Sequence, residues 1–365
     1  MTLTGFVLLY IVATIAIGVI AATRVKNTSD FALAGRSLPL PMVITATFAT
    51  WFGSETILGL PGRFIESGIA GVIEEPFGSG MALILVGTFF AHKLYKQNIL
   101  TLGDYYRDRY GRSVELLCSV AIVISYLGWV GAQVTALGLV INLITEGAVS
   151  MTTGMVIGAA VVLAYTMVGG MWSVAMTDFV QMIVIVVGLV AILWFATDLA
   201  GGMDKVVDYA RGRDLFHAFP EPTTTGWLFW ISAAMTMMIG SIPQQDVFQR
   251  VMSAKNLPTA VAGPILGGSF YILFAFVPMF IVVAAILVMP DAAEKMLSED
   301  PQQLLPTLVR DYMPMWLRVV FFGAVLSAVM STASATMLAP STIFVENVLR
   351  HFMKIDDRNM LRAMR

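Results

Sequence analysis

The chain has 365 residues, of which 58% are hydrophobic and 13% charged, with a formal net charge of −2. A soluble domain carries about 25% charged residues, so the composition excludes a water-soluble enzyme or binding module and points to an integral membrane protein. The basic residues are scattered over loops, which leaves nucleic-acid binding without support, and the single cysteine, Cys118, permits no internal disulfide and reads as a small buried hydrophobe in an apolar helix.

Crossing the ~30 Å hydrocarbon core takes about 20 apolar residues. Nine such segments occur, at residues 5–22, 38–59, 72–92, 114–144, 151–168, 174–197, 226–246, 260–289 and 317–345. Period-two alternation is absent, so the segments are expected to be helices and not barrel strands. The first has few charges before it and no small-residue cleavage site after it, so it is expected to stay in the mature protein. With the N-terminus outside, the inner loops hold Arg24, Lys26, Arg36, Lys93, Lys96, Arg107, Arg109, Arg112, Arg250, Lys255, Arg350, Lys354, Arg358, Arg362 and Arg365, fifteen of the twenty-two basic residues. That bias predicts a multi-pass protein of the cell (plasma) membrane with its N-terminus outside.

Between the spans, the outer loops at 197–226 and 290–316 are long enough to fold and to cover an extracellular vestibule, or to be plain solvated loops. The inner stretch "TLGDYYRDRYGRSVE" is amphipathic and aromatic and predicts a short interfacial helix. The last residues, "RHFMKIDDRNMLRAMR", read as a cytoplasmic connector.

The second span contains "ATWFGSETILGLPG" at residues 49–62, with three glycines, a proline and a carboxylate in an oily segment. Helix breakers survive at membrane depth where the freed backbone faces protein or water. Gly53, Ser54, Gly59, Pro61 and Gly62 therefore predict a discontinuous span, interrupted around Gly53 and Ser54. The carbonyls of Ala49 and Phe52, three residues apart, then share a face with no helical partners, which makes half of a cation site. Glycines alone also serve close helix packing, but burying Glu55 costs at least ~2.5 kcal/mol, and function is the usual reason to tolerate it.

A second half is available in "GAVLSAVMSTASATMLAPSTIF" of the ninth span. The hydroxyls of Ser331 and Thr332 and the carbonyl of Ala328 can converge on one face, and neutral oxygens suit a hard monovalent cation. A Ser/Thr-rich helix can equally be a packing seam. Asp178, in "GGMWSVAMTDFVQM", falls just inside the sixth span near its cytoplasmic end, where it either guides a cation inward or caps a wetted helix start. Trp51, Tyr126 and Trp129 are intramembrane aromatics, and Trp51 adjoins the proposed break. "SIPQQDVFQR" at residues 241–250 should break or end the seventh span. No HExxH, GxSxG or CxxC occurs, so no enzyme signature is present.

The "GG", "W", "TDF" and "Q" series at residues 169–181, "GLPG" after the first core helix, and "AVMST" in the ninth span resemble the sodium:solute symporters over essentially the whole chain. The resemblance implies an all-α LeuT-type bundle of two inverted five-helix repeats behind an extra N-terminal helix. In this chain the extra helix is 5–22, the first repeat 38–197, the second repeat 226–345 and the tail 346–365, within a single domain at 1–365. Family members continue through further core helices, so the second repeat is expected to be incomplete and the chain a C-terminally shortened one.

It also implies sodium as coupling ion, held by Ala49, Phe52, Ala328, Ser331 and Thr332, with Asp178 on its exit path. Solute is implied beside the break, contacted from core helices 1, 2, 3 and 6. Within the family, "ATW" and "IPxQxxFQR" are similar to the choline-transporter branch, whose aromatic cage would use Trp51 and Trp129. Gln244 departs by replacing a cage tryptophan and Glu55 by replacing a small residue, which favours an amine or amino-acid-like solute able to donate hydrogen bonds. Trp51, Glu55, Thr56, Trp129 and Gln244 are thus the candidate solute residues. The expected function is sodium-coupled symport by alternating access, with a small solute, sodium and the bilayer as partners. Two alternatives stay open, a solute sensor signalling through a missing C-terminal domain and a proton-coupled carrier using Glu55.

Overall fold

In lipid every backbone polar group must be satisfied internally, and the apolar segments accordingly form helices. The computed structural model describes residues 3–353 and 356–365, and Lys354, counted above among the inner basic residues, lies outside the described residues. Helix α1 (Leu3–Ala22) carries no charge and turns Leu8, Leu9, Val12 and Ile20 outward to lipid. A short inner helix α2 (Thr28–Leu33) follows, capped by the Asn27 side chain accepting from the Asp30 amide.

The second span breaks where Gly53 and Ser54 predict. Helix α3 (Leu40–Trp51) ends with Phe52 in a non-helical conformation, and a wide π-helical turn, Glu55–Gly59, resumes the path into α4 (Leu60–Ser67). The expected breakers Gly59, Pro61 and Gly62 do not break it. Gly59 keeps helical dihedrals, and Pro61 falls in the first turn of α4, where a missing N–H costs little. The span therefore runs to Ser67 and not to 59. The third span, expected to be plain, is also interrupted. A wide turn at Ile73–Gly78 precedes α5 (Ser79–Leu85), a second wide turn at Val86–Phe90 and α6 (Ala91–Gln97). Glu75 is extended inside the first of these turns, as expected for a residue before proline.

The amphipathic inner stretch forms α7 (Leu102–Tyr110) behind a Thr101/Asp104 capping box. It is more than interfacial, because Asp104 is buried and accepts from the buried Asn347 amide at 3.1 Å. After α8 (Arg112–Ile144), on which Cys118 is half-buried, comes α9 (Met151–Leu199). Its 49 residues would reach about 70 Å if straight, twice a bilayer. Gly170, at φ 50 and ψ −138, divides it into the two expected spans. A Cβ there would sit 2.3 Å from the Phe31 carbonyl oxygen, so Gly170→Ala combines backbone strain with overlap. It is expected to cost about 1–3 kcal/mol, read as a lower melting temperature and less monodisperse protein after detergent extraction.

Helix α10 (Met203–Gly212) and the pair α15 (Pro290–Glu299) and α16 (Leu304–Tyr312) show that both long loops, 197–226 and 290–316, fold. Between them, α11 (Thr224–Gly240) and α12 (Gln245–Ser253) form one span bent by 46°. Then come α13 (Leu257–Phe274) and α14 (Phe276–Val288). The ninth segment is α17 (Met315–Ile343), which runs through a wide turn at Phe344–Leu349 into α18 (Arg350–Phe352), and the tail forms α19 (Asp357–Met364).

Among the described residues six helical stretches are long and apolar enough to cross a membrane, and the bent α11–α12 pair makes a seventh. Dividing α9 at Gly170 and admitting the interrupted α3–α4 path gives the nine expected segments. Their connections sort to two ends. At one, Leu38 pairs with Ala254 and α19 packs on α2. At the other, Ile69 and Ala70 amides donate to the Leu215 and His217 carbonyls. Segments assigned to one side of the membrane thus meet on that side. Helix α17 forms the centre, packed against α9, α8 and α3 and buried from Val325 to Ala335.

Candidate functional site

The break in the second span frees one carbonyl that the sequence singles out. In an unbroken helix the Gly53 amide would donate to Ala49, but here it donates to Trp51 at 3.0 Å. The Thr332 hydroxyl of α17 takes the vacated place, 3.3 Å from the Ala49 oxygen. Gly53 allows this approach, since a Cβ there would lie 2.8 Å from Thr332 Oγ1. Phe52 caps α3 one residue beyond Trp51, and Ala328 lies one turn before Thr332, both fully buried. Two oxygens expected to face one ion, those of Ala49 and Thr332, are therefore in contact.

Ser331 points to a different neighbour. Its hydroxyl donates to Asp178 Oδ1, which leaves the lone pairs of Oγ free to face a cation. Asp178 lies eight residues past the Gly170 break and is fully buried, and its Oδ2 has no hydrogen-bond partner among the described residues. The sequence places Asp178 just inside its span, near one end. It is one hydrogen bond from the expected ion ligand Ser331, and its full burial argues against a wetted helix start.

Beside the break is a cavity of about 330 Å³ lined by Trp51, Glu55, Glu75, Ser125, Tyr126, Trp129, Met237 and Gln244. Trp51 and Trp129 lie 5.7 Å apart between ring centroids, and Tyr126 stacks on Trp129 at 6.0 Å, so three rings form one wall. The Tyr126 hydroxyl donates to the Asp246 carboxylate and accepts from the Asp246 amide at 3.0 Å, which fixes that ring against the start of α12. Gln244 caps α12 at the bend and is half-buried, with its Oε1 unpaired. Glu55 accepts from the Gln133 amide through both oxygens, at 2.9 and 3.0 Å.

Four of the five expected solute residues, Trp51, Glu55, Trp129 and Gln244, line this cavity. Thr56 does not. It is fully buried behind the wall, where its hydroxyl donates to Glu75 Oε1 at 2.9 Å and lies 3.2 Å from the Tyr271 hydroxyl. Its hydroxyl is taken up by Glu75 and Tyr271, so Thr56 bears on the cavity through Glu75.

The family model for the sodium:solute symporter family matches residues 31–365. The chain belongs to the sodium:solute symporter family. It is similar to the human high affinity choline transporter 1, 28% identical over 98% of this chain and 64% of that protein. The Drosophila melanogaster high-affinity choline transporter 1 is 27% identical over 94% of this chain and 56% of its own length. Sodium/glucose cotransporter 4 of Danio rerio is 26% identical over 94% and 57%. The chain thus spans less than two thirds of these relatives, which are transporters and not enzymes. A solved Na+-coupled sialic acid symporter, in a substrate-bound outward-open state, superposes with a TM-score of 0.86 at 17% identity, covering 99% of this chain and 77% of that one. At that identity the likeness is one of fold.

As a sodium:solute symporter homologue, the chain brings together motifs far apart in sequence, since Trp51 of "ATW" and Gln244 of "IPxQxxFQR" line the same cavity. Sequence reasoning missed Glu75, Asp246, Gln133 and Tyr271. For Glu75 a signal existed in "IEEPFG", which has the same pairing of carboxylate and helix breaker that marked the second span. Both glutamates fall at the very start of the segment 72–92, and the turn at Ile73–Gly78 carries Glu75 into the protein.

Proposed function

We propose that the chain carries the ion and solute sites of a sodium-coupled symporter of a small organic amine, working by alternating access. The observation that carries this reading is the Thr332 hydroxyl resting on the Ala49 carbonyl where α3 breaks. Hydroxyl and carbonyl oxygens from two helices, with the unpaired Asp178 Oδ2 next to Ser331, make a donor set of the kind a monovalent cation takes. Ala49, Phe52, Ala328, Ser331 and Thr332 are the proposed sodium ligands, and Asp178 receives the ion beyond Ser331 on its way inward. Ion binding would tie α3 to α17 and hold the cavity in the solute-accepting state.

The aromatic wall and Glu55 favour a cation as solute. An amine is favoured over an amino acid, because among the described residues no Lys, Arg or His lines the cavity, and a solute carboxylate would face Glu55 and Glu75 with only the half-exposed Arg63, 3.9 Å from Glu75, as a positive neighbour. The chain is read as sitting in the plasma membrane with the N-terminus outside, with residues 38–197 and 226–345 as its two repeats.

The test is uptake into proteoliposomes holding the natural protein, with amines, amino acids, carboxylates and sugars side by side under an inward sodium or potassium gradient. Amine uptake is expected to require sodium. Glu55→Gln, which removes one charge-assisted contact of about 1.5–3 kcal/mol, should weaken apparent amine affinity by roughly 10–100-fold. Uptake that follows pH and ignores sodium would transfer the reading to a proton-coupled carrier.

A further inference from the structure

We propose that Glu75 is a second solute-binding carboxylate, and that it selects an amine carrying two positive charges, a short aliphatic diamine. This rests on the amine reading above and names the class more closely. Among the described residues that line the cavity are two carboxylates, Glu55 and Glu75, and no cationic side chain. Their fixed partners are neutral. Glu55 is held by the Gln133 amide. Glu75 Oε1 accepts from the Tyr271 hydroxyl at 2.6 Å and the Thr56 hydroxyl at 2.9 Å.

These bonds orient the carboxylates without cancelling their charge. Glu75 Oε2 has Arg63 as its one partner among the described residues, at 3.9 Å, and Arg63 also reaches toward Glu74 at 4.0 Å. The Arg63 side chain is 44% exposed, and an ion pair this long and wet is weak, so Arg63 is a displaceable counter-ion. One ammonium at Glu55 would leave Glu75 with the long, wet Arg63 contact alone, and a second ammonium on the same solute supplies a direct partner inside the cavity.

The spacing favours a short linker. Glu55 and Glu75 line one cavity of about 330 Å³, which leaves room between them for a few methylenes and little more. The methylene chain between the charges would lie along Trp51 and Trp129, whose faces also attract cations. A singly charged amine fills the Glu55 half alone, and a neutral solute fills neither.

The experiment is sodium-dependent binding to the full chain in detergent. The probes are n-butylamine, choline and the unbranched diamines from 1,2-diaminoethane to 1,6-diaminohexane, each against the wild type, Glu75→Gln and Glu75→Asp. The wild type should bind its best diamine about tenfold or more tighter than n-butylamine, with affinity peaking at one chain length. Glu75→Gln should bring that ratio close to one while n-butylamine binding stays within about threefold, and Glu75→Asp should move the peak to a longer diamine. Equal wild-type affinity for n-butylamine and every diamine would overturn the proposal and leave the amine reading standing, and this measurement does not depend on any variant folding. Sodium-dependent binding of another solute class with no amine bound would overturn both.

Discussion

Replacing Ser331 and Thr332 together with alanine is expected to abolish sodium activation of uptake while the protein still assembles. Each hydroxyl removed from a buried polar site costs about 1–3 kcal/mol, so losing both should weaken sodium binding by roughly a hundredfold or more. The two are not equivalent. Thr332→Ala leaves the Ala49 carbonyl without the partner that replaced the Gly53 amide, whereas Ser331→Ala leaves Asp178 without its hydrogen-bond donor. The single variants should therefore fail differently. Thr332→Ala should lower sodium affinity with uptake kinetics otherwise preserved, and Ser331→Ala should also alter the rate of sodium release. Being adjacent, the two losses need not add. Sodium titrations of uptake and of thermal stability on both singles and the double read this out, and unchanged sodium activation in the double variant would remove the Ser331 and Thr332 hydroxyls from the ion site.

How much of this was legible before the fold was known depended on whether a backbone signal accompanied the side chain. The ion half was readable because Gly53 and Ser54 announce a helix end, and a helix end dictates which carbonyls lose partners. Thr332, 283 positions from Ala49, was readable as one of three oxygens able to converge on a helix face, with a packing seam as the alternative. Apolar count alone starts the sixth span at 174, whereas Gly170 at positive φ marks the corner, so Asp178 lies eight residues into its helix. Pro61 misled in the other direction, since a proline in a first turn reads like a breaker until the preceding turn is known to be wide. Glu75 was lost because its burial depends on the turn at Ile73–Gly78 and on Tyr271, which comes from α13. A carboxylate at a span edge gives no such information on its own.

Gly53→Ala should separate the geometry of the break from the chemistry of the ion site. The added methyl would lie 2.8 Å from Thr332 Oγ1 and 3.3 Å from Thr332 Cβ, closer than packed atoms tolerate. Because threonine is stiff at χ1, the overlap must be relieved by moving α3 away from α17. Overpacking of this kind costs about 1–3 kcal/mol, and the same movement pulls the Ala49 carbonyl off the ion site, so both melting temperature and sodium affinity should fall. Adding Thr332→Ala removes the obstructing hydroxyl and should recover most of the lost stability. It should not recover sodium binding, because a ligand goes with it. Stability and sodium affinity are thus expected to part company in the double variant, measured as melting temperature with and without saturating sodium. If sodium affinity returned along with stability, Thr332 would be a packing residue, and the ion would have to be sought elsewhere along the break.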